Sequence, residues 1–168
     1  MESFAQCQSL HHLKHLHLAG VILHDLSLVP LGIFLENVAN TLKTLELEHC
    51  RMTDSQVSAF IPALNKCSQL IEVNFCDNDI SMPVLTNLLH HTANLSQLIM
   101  ELYPAPLECY ETGFVLRPER IVQLSSELMN ILCTVRQPHS ICFASQLCLI
   151  CSQRCTYGLE TRLCHCCQ

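Results

Sequence analysis

Three observations predict that this 168-residue chain folds as an α/β solenoid. An apolar frame recurs four times, each copy alternates like a short strand, and the stretches between copies carry helical periodicity. Together they describe a leucine-rich-repeat horseshoe: a concave parallel sheet, convex helices, a C-terminal helical cap and a small cysteine-rich tail.

The first three copies are Leu13-Lys-His-Leu16-His-Leu18, Leu42-Lys-Thr-Leu45-Glu-Leu47 and Leu70-Ile-Glu-Val73-Asn-Phe75, and a fourth is read at Leu95-Ser-Gln-Leu98-Ile-Met100. Their starts lie 29, 28 and 25 residues apart. Within each copy the alternation sends one set of side chains inward and the other outward. Cys50 and Asn78 hold the ninth position of the frame, where the chain leaves the strand and a polar side chain can satisfy buried backbone groups. The first copy departs by carrying Val21 there, while Leu23, Met52 and Ile80 hold the eleventh position.

Each strand should be followed by a returning helix. The first is expected from about Leu31 to Ala39. In the second copy Thr53 and Gln56 form a capping-box pattern ahead of Val57, Phe60, Ile61 and Leu64. In the third, Ser81 is the expected cap and Pro83 lies in the first turn, with Val84, Leu85, Leu88 and Leu89 toward the core. After Pro106 the repeat is read as ending. Pro118-Glu119 then opens a helix carrying Ile121, Leu124, Leu128, Ile131, Leu132 and Val135 at helical spacing, stopped before Pro138. That helix is expected to cap the open end of the solenoid. The organisation expected is repeats over 1–106, a capping segment over 107–138 and the tail over 139–168. At the other end, either the first dozen residues make a simple cap or the chain is a piece of something longer. An uncovered first strand would favour self-association.

Composition narrows the function classes. Hydrophobic residues at 49% against 14% charged describe an ordinary folded protein, and a formal charge of −6 argues against nucleic acid as a partner. Every apolar run is interrupted before the ~20 residues a bilayer needs, and the N-terminus lacks a basic region followed by an apolar core. Four glycines include no phosphate-binding loop, and no context marks an activated thiolate with its base, so no enzyme is expected.

Thirteen cysteines are distributed unevenly: six between Cys7 and Cys133, seven between Cys142 and Cys167. The scattered set reads as small buried hydrophobes in a reducing compartment. The crowded set contains Cys148-Leu-Ile-Cys151, twelve residues, then Cys164-His-Cys166. A C-x-x-C pair closes half of a zinc tetrahedron with little strain, so Cys148, Cys151, Cys164 and Cys166 are the expected ligands of a structural zinc. Cys155, His165 and Cys167 are alternative ligands. The competing reading is a reduced, thiol-rich tail.

On the concave face the frame places His15, His17 and Ala19, then Thr44, Glu46 and Glu48, then Glu72, Asn74 and Cys76, then Gln97, Ile99 and Glu101. With strands about 4.8 Å apart, Glu46, Glu48 and Glu72 would make one acidic patch beside two histidines. It would suit a basic segment of a protein partner; the alternative is a solvated strand face. His15 and His17 point the same way but have no evident third ligand, so metal is not expected there.

The run from Leu42 to Cys50, Met52-Thr53-Asp54-Ser55-Gln56, Ile61-Pro62-Ala63-Leu64 and Cys67-Ser68-Gln69-Leu70 resembles the PRAME family of leucine-rich-repeat proteins. So do Leu102-Tyr103-Pro104-Ala105-Pro106-Leu107-Glu108, the helix that follows, and the cysteine tail. The resemblance covers nearly the whole chain and corresponds to the C-terminal part of the family's longer members. It implies a germline or cancer–testis type protein of cytoplasm and nucleus. It further implies a substrate receptor for elongin–cullin RING ubiquitin ligases and a repressor of nuclear-receptor transcription, affecting differentiation, proliferation and apoptosis. The family's ligase-docking box belongs to an N-terminal region not found here, which leaves a stand-alone interaction or decoy module as the alternative. Leu85-Thr-Asn-Leu88-Leu89 has the look of a co-regulator motif, but its leucines are expected in the core.

Overall fold

The computed structural model describes residues 10–112, 115–158 and 161–168. The first residues, read above as a simple cap, lie largely outside the described ones. Short strands form where the frame alternates: β1 (His15–His17), β2 (Thr44–Glu46) and β3 (Glu72–Asn74), followed by β4 (Met100–Pro104). A small antiparallel pair, β5 (Tyr110–Glu111) and β6 (Val115–Leu116), precedes β7 (Ser140–Ala144) and β8 (Thr156–Gly158). Among the described residues four α-helices connect the strands: α1 (Val29–Asn37), α2 (Asp54–Leu64), α3 (Met82–Thr92) and α4 (Pro118–Val135). The main sheet runs β1-β2-β3-β4-β7-β8. Its first five strands are parallel, each crossover carrying one helix, and β8 turns back antiparallel on β7. No helix among the described residues is long and apolar enough to cross a membrane.

The helix starts are fastened to neighbouring units. Thr53 donates its amide to Gln56 Oε1 at 3.0 Å, the backbone half of the expected capping box. Gln56 also donates to the carbonyls of Leu23, His24 and Leu26, tying α2 to the loop ahead of α1. Ser81 is the N-cap of α3 by position but makes no side-chain capping bond; Asp54 Oδ1 accepts its amide at 2.8 Å instead. α1 starts at Val29, two residues earlier than the periodicity predicted, with Pro30 in its first turn. Leu85, Leu88 and Leu89 of α3 are fully buried, as expected of core leucines.

The inward faces of sheet and helices share one core from Leu16 to Phe143, with a stacked run Phe60–Phe75–Tyr103–Phe143 at centroid distances of 5.8–6.2 Å. The ninth-position residues do what their chemistry allows. Asn78 donates to the carbonyls of Leu47, Phe75 and Cys76 and accepts the amide of Met52, while the Cys50 thiol donates to the carbonyls of Leu18 and Glu48. The residue just before it is left-handed in each unit, at Gly20, His49 and Asp77, with φ of 77°, 55° and 57°. Cys50, Cys67, Cys76 and Cys109 are buried as read from sequence, and burial pushes the thiols of Cys67, Cys76 and Cys109 up to about 12. Cys133 instead lies on the exposed side of α4.

Two readings need correction. The strand–helix path does not end at Pro106: α4 packs on α3 and then leads into β7, which pairs in parallel with β4. The interval was hidden because the 3-10 turn Leu107–Cys109, the β5–β6 pair and an 18-residue helix lengthen this unit. The second correction concerns register. Val73 pairs with Glu101, so Leu98, not Leu95, begins the fourth frame, 28 residues after Leu70. Both leucines are buried, so either satisfies an apolar pattern.

At the end of the sheet β8 approaches β7 very closely. A Cβ on Gly158 would stand 2.3 Å from the carbonyl oxygen of Ile141, a backbone atom that cannot swing aside. Gly158→Ala is expected to cost roughly 1–3 kcal/mol, the usual penalty for forced overpacking, measured as a fall in the urea midpoint. Gly32→Ala, whose Cβ would meet Ala59 O at 3.3 Å, should cost less.

Candidate functional site

The register sets the outward face of the sheet residue by residue. One row reads His15, Thr44, Glu72, Met100, Ser140, and the next His17, Glu46, Asn74, Leu102, Cys142. Thus six of the predicted face residues share one side, with Glu48 just beyond the end of β2. His15 Nδ1 lies 2.9 Å from Thr44 Oγ1 and His17 Nδ1 lies 2.6 Å from Glu46 Oε2, an ion pair when the imidazole is protonated. Asn74 donates to Glu48 at 3.1 Å.

The last three predicted residues fall elsewhere. Gln97 is exposed in the turn before β4, and Ile99 precedes the strand. Glu101 is 0% exposed and points into the core, where the neighbouring strands carry Leu16, Leu45, Val73 and Ile141. The Tyr103 hydroxyl donates to its carboxylate at 2.9 Å and Arg136 pairs with it, while Glu101 Oε1 and Arg136 Nε keep no hydrogen-bond partner. Met100 and Leu102 take the outward places, so the face passes from acidic and polar on β1–β3 to apolar on β4.

Arg154 was not found from the sequence, since nothing local marks it. It forks onto both carboxylate oxygens of Asp77, donates to the Ser145 carbonyl at 2.8 Å and reaches Glu48 at 3.4 Å. Glu48 and Asp77 are therefore partly neutralised, Glu46 keeps His17 as its partner, and Glu72 adds a further carboxylate to the patch. Beside them lies a polar cleft of about 560 Å³ lined by His49, Arg51, Asp77, Asp79 and Gln146 among others.

The cysteine tail folds against α4. Cys155 and Cys164 are buried in a small cluster with Ala105, Cys109, Ile121 and Leu124. The four predicted zinc ligands do not form one set. Cys148, Cys151 and Cys166 converge, and Cys164 instead joins Cys155 and Cys167; within each trio all sulfurs lie within 4.8 Å of one another. A reverse turn is the reason. Cys167 donates its amide to Cys164 O at 2.9 Å, bringing residues 164 and 167 together and leaving Cys166 on the other side. The backbone amides of Cys151 and Ile150 hold the Cys148 thiol down at about 6, while donating its S–H to Cys151 pushes the Cys166 thiol up to about 12. The Cys164 amide points at Cys155 Sγ at 3.3 Å. Three thiols gathered this closely can hold a soft metal ion.

These features define a class: a mixed α/β protein of stacked strand–helix units, with a polar-to-apolar sheet face and a thiol-rich end. The chain belongs to the PRAME family, whose C-terminal domain matches residues 1–167. It is 51% identical over 157 residues to mouse Preferentially expressed antigen in melanoma-like protein 7, covering 94% of this chain and 33% of that relative. It is 48% identical to human PRAME family member 8 over 166 residues, 99% of this chain and 35% of the relative. Mouse Oogenesin-2 is 45% identical over 158 residues, 94% of this chain and 33% of the relative. The chain thus spans about a third of the length of the curated relatives it matches. No solved structure matches it.

Proposed function

We propose that the chain is a non-enzymatic leucine-rich-repeat solenoid that binds a protein segment along the outward face of its sheet. The observation that carries this reading is the juxtaposition of Glu46 and Glu72 with exposed Met100 and half-buried Leu102 on adjacent strands. A partner segment with basic residues followed by apolar ones fits that order, the charges steering approach and the apolar residues supplying burial. Reversing the charges in Glu46→Lys and Glu72→Lys together should weaken capture of such a partner at least tenfold and remove the loss of binding with added salt. Unchanged capture and unchanged salt dependence would sink the idea.

Family membership supports a role as substrate receptor in an elongin–cullin RING ubiquitin ligase, with negative regulation of transcription, differentiation and apoptosis, in cytoplasm and nucleus. The second reading is an interaction module without ligase recruitment. Affinity purification of the tagged chain separates them: elongin and cullin subunits among the co-purifying proteins favour the first, a specific partner without them the second. At the thiol-rich end we read a structural role for zinc, supported by the convergence of cysteine sulfurs there.

A further inference from the structure

We propose that the C-terminal end binds two zinc ions, one held by Cys148, Cys151 and Cys166 and the other by Cys155, Cys164 and Cys167. This rests on the zinc reading above and adds a second centre to it. In a tetrahedral site with Zn–S of about 2.3 Å the sulfurs stand about 3.8 Å apart, so trios already within 4.8 Å need a contraction of an ångström or less. The surrounding backbone is arranged for thiolates. The Cys164 amide aims at Cys155 Sγ at 3.3 Å, donating to a sulfur that carries charge once a metal is bound. A disulfide in either trio would pair two sulfurs and strand the third.

Apolar burial does not account for the fold of the C-x-x-C loop. The C-x-x-C loop exposes Leu149 at 96% and Ile150 at 85%, and Ser152 beside them sits at φ 55°. So short a segment with its apolar residues outside needs another source of cohesion, and metal–thiolate bonds are the usual one. The ligand order reinforces this, since the trios interleave along the chain: the first centre takes Cys148, Cys151 and Cys166, the second Cys155, Cys164 and Cys167. Each ion therefore closes a loop that contains ligands of the other. On binding, each zinc displaces three thiol protons to solvent and forms three Zn–S bonds, leaving a centre of net charge −1 with one tetrahedral position for water or a further donor.

Native mass spectrometry of the full chain, expressed with zinc and purified under reducing conditions, counts the ions directly. Two per chain are expected, with one remaining in Cys151→Ser, one in Cys155→Ser and none in the double variant. A single ion that is lost in Cys151→Ser and Cys164→Ser but kept in Cys155→Ser and Cys167→Ser would overturn the two-centre proposal while leaving the zinc reading intact. No ion in the unmodified chain would overturn both. Cobalt(II) titration of the unmodified, metal-stripped chain guards against variants that fail to fold: charge-transfer absorbance should rise to two equivalents, and saturation at one equivalent would overturn the proposal.

Discussion

Arg136→Met is expected to destabilise the protein by about 3–5 kcal/mol, because it leaves the Glu101 carboxylate buried without its cation. Glu101 is fully buried and Arg136 nearly so, which keeps water from screening the loss. The double replacement Glu101→Leu with Arg136→Met should behave quite differently. Leucine at 101 would match Leu16, Leu45 and Val73 on the strands before it, and removing both charges removes the desolvation cost along with the attraction. Its stability is expected within about 1 kcal/mol of the parent, or above it. Urea unfolding followed by circular dichroism distinguishes the outcomes. A single variant that loses less than 1 kcal/mol would mean that water reaches the carboxylate. The Tyr103 hydroxyl also donates to Glu101, so part of its packing order should loosen in the double variant.

Asn78→Leu carries the other large effect. Its side chain is the hydrogen-bond partner of the Leu47 and Phe75 carbonyls and of the Met52 amide. A leucine offers none of those bonds, and each buried backbone group left unpaired costs about 1–3 kcal/mol, so the three together cost at least about 3 kcal/mol. Asn78→Cys should fall between the parent and the leucine variant. Its thiol can donate as Cys50 does one unit earlier, but it cannot replace the amide oxygen that accepts from Met52. Equal unfolding midpoints for the cysteine and leucine variants would show that the ninth-position equivalence has no energetic content.

Much of this was legible in the residues. Strands β1, β2 and β3 fall inside their predicted copies, α4 begins at the predicted Pro118, and the face residues from His15 to Asn74 share one side because alternation with period two leaves no other arrangement. The fourth copy was misread because Leu95, Leu98 and Met100 mimic the frame while the true strand places a carboxylate at a core position. A charged core residue cancels the apolar signal on which register depends, and its compensation by Arg136 lies 35 residues away. β7 escaped notice for a related reason: Ile141-Cys-Phe143 is too short an alternation to stand out without the usual interval.

The cysteines make the same point at the candidate metal site. Composition and the C-x-x-C spacing located the thiol-rich end, and simple pairing of neighbours then grouped Cys164 with Cys166. The turn at residues 164–167 divides them, and the return of the chain through β8 brings Cys155 into the second trio. The sequence by itself determined the repeated strand–helix plan, the buried leucines, the polar ninth position and the place of the thiols, all properties set by local periodicity and residue chemistry. Tertiary structure alone decided the pairing of Glu101 with Arg136, the anchoring of Arg154 on Asp77 and the division of six cysteines into two trios. Each of these joins groups far apart or turned apart along the chain, and their approach depends on strand register and loop closure, which no local pattern encodes.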